Sequence, residues 1–304
     1  MDTADAIRLD DRVIVVTGAG RGLGLSYVRL LSQRGAKVVV NDIVQNGESP
    51  AEVAAEVLRA AGGQAIGSTR DISTPEGGAA LVADAVEAFG RLDGVVHNAG
   101  ILRDRTLAKL SPEDVRDVFK VHLEAAFWVL QPAMEAMKAN RFGRVVLTSS
   151  ASGLFGNYGQ SNYGAAKTGL VGLMRVLTQE GARAGVLVNT VAPSARTRMT
   201  EDLLGPLAER LDPDHVAPLV AYLCSARCET GNRIYSAGGG RYASVFLGLT
   251  PGWTRQGEGV ATPEDIAAHI DQIHDRDGYI VPESGLDELA VMLKAMGAEH
   301  LMPG

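Results

Sequence analysis

The sequence predicts an α/β chain: a single doubly wound parallel sheet with helices on both faces and a C-terminal extension. Three observations carry that prediction. Short apolar runs without polar alternation, such as Val13-Ile14-Val15-Val16, read as strands buried on both sides. Helical patterns separate these runs, as parallel strands require. A glycine-rich turn, Thr17 to Gly24, joins the first run to the first helix.

The elements follow in order. After the strand at 13–16, a helical pattern runs from about Leu25 to Arg34, and Gly35 ends it. Lys37 to Val40 is a second strand. Ala51 to Ala61 reads as a helix stopped by Gly62-Gly63, and Gln64 to Gly67 opens a third strand. Gly78 to Phe89 is helical, Leu92 to Val96 is a strand, and Asn98-Ala99-Gly100 follows it. Ser111 as N-cap and Pro112 at the first helical position start a long helix. Arg144 to Thr148 is a strand, Tyr163 to about Gly181 a helix, and Val186 to Val191 a strand.

Past about Ile234 the texture changes. Gly238-Gly239-Gly240 reads as flexible and Leu249 to Trp253 as turn-like. Thr262-Pro263-Glu264-Asp265 starts a helix near Ile266, and Gly285 to Met296 is the last one. This tail has too few apolar residues for its own core. Residues 1–233 are therefore expected to form the main domain and 234–304 an extension packed on it.

Composition is that of an ordinary globular protein, with 46% hydrophobic and 21% charged residues in 304. The net charge of −7 argues against nucleic acid or an anionic membrane as partner. No apolar run approaches the length of a membrane span. The start, MDTADAIRLDDR, is too polar for a signal peptide, and the end, HLMPG, is not a peroxisomal address. A cytoplasmic location is the expectation. Cys224 and Cys228, four apart on an expected helix, read as buried reduced thiols rather than a bridge or metal site.

The glycine turn is where chemistry first enters. Gly18, Gly22 and Gly24 let the backbone turn tightly and approach a pyrophosphate, and Arg21 and Leu23 sit among them. A helix N-terminus behind the turn offers unpaired N–H groups to phosphates. Asp42 ends the second strand, 24 residues after Gly18. An acid there accepts bonds from adenosine ribose hydroxyls and repels a 2′-phosphate, which favours NAD over NADP. Arg21 counts the other way, since a guanidinium can reach such a phosphate.

Tyr163 and Lys167 are four apart on a helix and so share a face. A nearby ammonium favours the phenolate of a tyrosine, lowers its pKa, and fits it for proton exchange with an alcohol. Ser150, 13 residues earlier at a strand end, can donate to the same substrate oxygen. Taken singly, each has a bland role as packing, surface charge or turn cap. Together, behind a dinucleotide turn of Rossmann type, they point to hydride transfer at a secondary alcohol.

At this point the chain resembles the short-chain dehydrogenase/reductase family over roughly Asp11 to Ile234. The matching pieces are T-G-A-G-R-G-L-G (17–24), Asp42, Asp71-Ile72, N-A-G (98–100), Ser150, Y-G-A-A-K (163–167) and N-T-V-A-P (189–193). The resemblance implies that Asp71 and Ile72 touch adenine and that Asn98, Ala99 and Gly100 line the cofactor. It also implies a homodimer or homotetramer through the helices carrying His122 and Tyr163.

Within the family, I-L-R-D-R (101–105), the run 148–163 and R-M-T (198–200) are similar to the (3R)-hydroxyacyl-CoA dehydrogenase units of type 2 multifunctional enzymes. These are also called 17β-hydroxysteroid dehydrogenases of type 4. The resemblance implies an acyl-CoA or steroid substrate. Arg103, Arg105, Arg196, Arg198 and Arg241 are then candidates for the CoA phosphates. A ketoacyl-carrier-protein reductase, which prefers NADPH, is disfavoured by Asp42. A non-catalytic NAD(H)-binding scaffold is the reading from another class.

Three positions depart from the family. His122 stands in Val121-His122-Leu123 where asparagine is usual, and either serves a proton relay or packs. His97 replaces the first asparagine of N-N-A-G, and Ser194 replaces glycine after Pro193.

Overall fold

The computed structural model describes residues 6–196, 210–257 and 259–302. The chain divides into two compact units, Met1–Ser244 and Val245–Gly304. The first holds strands β1 (Val13–Thr17), β2 (Lys37–Asn41), β3 (Gln64–Ser68), β4 (Gly94–His97), β5 (Gly143–Thr148), β6 (Val186–Pro193), β7 (Ile234–Gly238) and β8 (Arg241–Val245). Its helices include α1 (Gly22–Gln33), α2 (Pro50–Ala60), α3 (Pro75–Phe89), α4 (Pro112–Phe119), α5 (Ala125–Ala139), α6 (Ala151–Phe155) and α7 (Ser161–Gly181).

The eight strands form one sheet in the order β3-β2-β1-β4-β5-β6-β7-β8, parallel from β3 through β7. Strands β1, β4 and β5 are buried along their whole length, which explains the runs of valine, isoleucine and leucine at their centres. Ile14, Val16, Val38, Val40, Val96 and Val146 join residues of α1, α2 and the helix Ala217–Leu223 in one core. Their equally buried neighbours Val15, Val39, Val95 and Val145 point to the other face, because strand side chains alternate. There α3, α5 and α7 pack against one another. Strand order reverses between β1 and β4, and a parallel sheet opens its ligand crevice at the C-terminal strand ends beside such a point.

Four expectations need correction. The long helix from Pro112 is interrupted: α4 ends at Phe119 and a π-helical segment, Lys120–Glu124, precedes α5. Helix α3 starts at Pro75, not Gly78, because Thr74 caps it through a 3.1 Å bond from the Gly77 N–H. Gly239 (φ 56°) and Gly240 (φ 79°) are not a flexible stretch but the two-residue turn joining β7 to β8. Two consecutive positive φ values match the favoured hairpin turn, which makes β8 an antiparallel edge. The helix expected to carry both cysteines stops at Leu223, so Cys224 caps it and Cys228 lies beyond. Both thiols are buried and unbridged, and burial pushes Cys224 up to about 12. Strand β7 pairs with β6, in parallel, inside the first unit.

Asp93 anchors the opposite end of the sheet. It is 1% exposed and accepts from the Val13 N–H at 3.0 Å, Arg12 at 3.1 Å and Arg91 at 2.8 and 2.6 Å. Asp93→Ala leaves a buried N–H and two guanidinium groups without their acceptor. Because both arginines reach solvent, the expected loss is at the low end for a broken buried pair, about 3 kcal/mol. It should appear as a lower urea midpoint with unchanged slope; an unchanged midpoint would contradict it.

The second unit contains the helices Pro263–Ala268, Ile270–His274 and Gly285–Ala295. Capping boxes of Thr262 with Asp265 and Ser284 with Asp287 start the first and last. Trp253 stacks on His269 with ring centroids 4.1 Å apart. Among the described residues of the whole chain, no helix is long and apolar enough to cross a membrane.

Candidate active site

The turn between β1 and α1 is pressed against the segment that follows β4. Gly18 has φ +61°, and a Cβ there would lie 2.7 Å from the Ala99 Cα. A Cβ on Gly24 would fall on the Gly18 carbonyl and 2.7 Å from the Ala19 Cα. Both positions therefore require glycine. The Asn98 side chain locks the contact by donating to the Thr17 carbonyl (3.1 Å) and the Gly18 carbonyl (3.0 Å). Thr17 Oγ1 in turn accepts from the N–H groups of Asn98 (3.0 Å) and Ala99 (3.1 Å).

Gly22 and Leu23 open α1, whose N-cap Arg21 makes no side-chain cap and whose first turn carries no acid. Leu23 packs on the core beneath the turn. Arg21 Nη2 is buried without a partner. Asp42 aims into the same turn: one oxygen accepts from the Gly20 N–H at 3.0 Å and the other from the Ile43 N–H at 2.9 Å. Asp71, after β3, is exposed, and hydrogen bonds from Ser73 hold its carboxyl below the usual range. Ile72 beside it is buried. A backbone cradle that admits no Cβ, a free helix N-terminus and an orphaned guanidinium nitrogen together fit a dinucleotide with its phosphates.

Ser150, Tyr163 and Lys167 converge at the end of β5. Helix α7 starts two residues before Tyr163, so Tyr163 and Lys167 stand one turn apart. Asn162 fixes this start by donating to the carbonyls of Arg103 and Asp114, both at 3.1 Å, and accepting from the Tyr163 N–H at 2.8 Å. Lys167 is 2% exposed; its Nζ donates to the Thr148 carbonyl at 2.5 Å and lies 5.7 Å from the Tyr163 ring centroid. Ser150 Oγ accepts from the Ser152 N–H at 3.2 Å, capping α6, and its hydroxyl is near enough to the Tyr163 phenol to act on its pKa. Cap and site residue are thus one side chain.

Burial dominates the electrostatics. It raises the Tyr163 hydroxyl above its usual 10, against the Ser150 hydrogen bond, with the Asp104 charge adding to the rise. It pulls the Lys167 ammonium down to about 7. In the free protein the Tyr163 pKa therefore stands above its usual value rather than below it, because desolvation of the phenol is the largest effect on it.

His122 lies in the π-helical segment, buried and perpendicular to the Tyr163 ring, with centroids 5.1 Å apart. Such segments recur at functional sites. Its Nε2 is 3.0 Å from the Ile101 N–H and 2.8 Å from the Ile101 carbonyl oxygen, while Nδ1 has no partner. Burial, with the Lys167 charge, holds this imidazole well below 6.5 and so neutral. A Cβ on Gly100 would strike the His122 ring, so Gly100 makes room for it. His97, noted in the sequence only as a departure, touches the same residue: its Nε2 is 3.0 Å from the His122 carbonyl oxygen.

The arginines do not gather. Arg103 pairs with Asp117 at 3.5 Å and Arg105 with Asp114 at 3.3 Å. Arg196 and Arg241 are exposed and form no ion pair among the described residues. Arg198 and the R-M-T segment lie outside them.

A family model described as short chain dehydrogenase matches residues 12–205. A putative short-chain type dehydrogenase/reductase of Mycobacterium tuberculosis is 43% identical over 280 residues, covering 89% of this chain and 96% of that one. A hydroxyacyl-CoA dehydrogenase of the same organism is 38% identical over 253 residues, covering 77% of this chain and 79% of that one. The solved structure of full-length peroxisomal multifunctional enzyme type 2 from Drosophila melanogaster superposes with a TM-score of 0.81 at 34% identity. That match covers 98% of this chain but 51% of the other, so the chain spans about half of it.

Proposed function

The chain belongs to the short-chain dehydrogenase family and is an oxidoreductase of CH–OH groups; from that premise we propose that it oxidises a (3R)-hydroxyacyl-CoA to the 3-ketoacyl-CoA with NAD⁺. The observation that carries this reading is the convergence of Ser150, Tyr163 and Lys167 at the strand ends that also bear the dinucleotide turn. The acyl-CoA substrate rests on likeness to the hydroxyacyl-CoA dehydrogenase and to the type 2 multifunctional enzyme.

When bound, the dinucleotide accepts the hydride. Gly18, Arg21, Gly22, Leu23 and Gly24 hold its phosphates, with Asp71, Ile72, Asn98, Ala99 and Gly100 along the same crevice. Tyr163 takes the substrate hydroxyl proton in oxidation and returns it in reduction. Ser150 Oγ accepts from the Ser152 N–H, so its own hydrogen is available as a donor, toward the Tyr163 phenol in the free protein and toward the substrate oxygen when substrate is bound. Lys167, pulled to about 7, carries or releases a proton readily at neutral pH, and its charged form favours the Tyr163 phenolate.

Asp42 is the reason for NAD. Its carboxylate is held in the turn by the Gly20 N–H, where a 2′-phosphate would meet its charge. Asp42→Ala is expected to reduce the NAD-over-NADP ratio of kcat/KM at least about tenfold, the effect of removing one well-placed charge. An unchanged ratio would place the preference elsewhere.

The deciding experiment is steady-state NAD⁺ reduction with short and long (3R)-hydroxyacyl-CoA, the (3S) isomers and 17β-hydroxysteroids. A (3R) preference supports the proposal. A (3S) preference, or activity on steroids without any on CoA esters, rejects it. Phe127 on α5 and Val176 on α7 remain exposed, consistent with a homo-oligomer through these helices; native mass by light scattering tests it.

A further inference from the structure

His97 ends β4, immediately before Asn98-Ala99-Gly100. It is 1% exposed, so both ring nitrogens must find partners inside the protein. Nε2 lies 3.0 Å from the His122 carbonyl oxygen. A carbonyl only accepts, so Nε2 carries the hydrogen and Nδ1 is the acceptor. Nδ1 faces Thr17 Oγ1 across a long 3.5 Å contact. Thr17 Oγ1 already accepts two backbone N–H groups, which leaves its own hydrogen free for that acceptor. The tautomer is thereby assigned from partners alone. Burial pulls His97 down to about 4, so the ring stays neutral near pH 7.

The carbonyl that His97 engages belongs to the π-helical segment Lys120–Glu124. The side chain of that same residue, His122, stands perpendicular to Tyr163 and fills the space over Gly100. A continuous line therefore runs from Thr17, at the foot of the glycine turn, through His97 and His122 to the Tyr163 ring.

We propose that His97 is a positioning residue for the reaction: its Nε2–H clamps the His122 carbonyl, holds the π-helical turn in place, and keeps the His122 ring against Tyr163. The contact of the same ring with Thr17 is the longer one, at 3.5 Å, so the clamp on the His122 carbonyl is the part that bears on Tyr163. This rests on the reading of Tyr163 as the proton-exchanging group.

Three substitutions separate hydrogen bonding from packing. A glutamine amide nitrogen reaches the place of the imidazole Nε2, whereas an asparagine amide reaches only that of Nδ1. His97→Leu and His97→Asn are expected to lower kcat about tenfold, the size of one buried hydrogen bond transmitted to the transition state. KM and the NADH Kd should stay within about threefold, and His97→Gln should restore kcat to within about threefold of wild type. The proposal is overturned if glutamine is as damaging as leucine, or if all three variants keep wild-type kcat. Should His97→Leu fail to fold, the glutamine and asparagine variants still decide.

A second readout needs no substrate. Long-range 15N–1H spectra of the histidine rings should show His97 as the neutral Nε2–H tautomer. The His122 resonances should move in the asparagine variant and return in the glutamine variant. A charged or Nδ1–H His97 overturns the proposal. If the wild-type protein oxidises none of the alcohols, the functional reading fails, while the spectra still judge His97.

Discussion

Tyr163→Phe is expected to reduce kcat/KM by about 10³-fold or more while the NADH Kd stays within about threefold. The substitution removes one oxygen and leaves the ring that packs against His122 at 5.1 Å. What is lost is proton transfer to or from the substrate oxygen, and a positioned acid–base group contributes about 10² to 10⁴ in rate. Stopped-flow and steady-state rates with the preferred alcohol, alongside NADH fluorescence titration, separate chemistry from binding. Retained turnover would remove Tyr163 from the mechanism; lost NADH binding would show that the ring, not the hydroxyl, was being measured. A non-catalytic dinucleotide-binding scaffold would be indifferent to the change.

Lys167→Met should lower kcat by a similar factor, about 10² to 10⁴, and at the same time make the free protein more stable at low pH. The sign follows from the burial of the ammonium. In the folded chain Lys167 sits at about 7, whereas an unfolded lysine ionises near 10.4. Between these values the unfolded state binds the extra proton, so wild-type stability rises with pH across that window. Below about 7 both states are charged and the whole cost of burying the ammonium remains. Methionine has no proton to bind, so its advantage should be largest at pH 6 and shrink toward pH 10. The lost bond to the Thr148 carbonyl offsets part of the gain without depending on pH. Urea midpoints of both proteins at several pH values test this; parallel curves would mean that Lys167 does not titrate in the window.

The parts of the site that were legible in the sequence were those with local signals. Gly18, Gly24 and Asp42 have fixed spacing around one strand–turn–helix unit, and Tyr163 and Lys167 share a helix face. Gly18 and Gly24 lie in the turn into which Asp42 aims, and Lys167 lies beside the Tyr163 ring. Helix starts are less legible: Gly22 begins α1 although glycine is a weak helix former, and the Thr74–Pro75 start of α3 is followed by Gly77-Gly78, which obscures it, whereas no glycine follows Ser111–Pro112. The break at Lys120–Glu124 carries no glycine or proline, and its partner, His97, is far away in sequence. No periodicity within the segment announces a carbonyl turned toward another strand. The hairpin turn at Gly239-Gly240 reads as slack in the sequence because glycine marks both mobility and a required positive φ. The Lys167 and Tyr163 shifts were beyond sequence for a similar reason: desolvation depends on what covers a group, not on what neighbours it in the chain.

The wide turn at Lys120–Glu124 also places a length constraint on the chain. A π-helical turn accommodates one residue more than the regular spiral, so α4 and α5 are out of phase by that residue. Deleting one residue there would splice Pro112 to Ala139 into an uninterrupted rod. Each residue of helix occupies about 100° of rotation and about 1.5 Å of rise, so one flank would swing by that amount against the other. The splice would mend the helix and undo the meeting of His122 with Tyr163. At this point the chain has traded a straight element for the aim of a single ring, and it is intolerant to a change in residue count where a change of residue type would be milder.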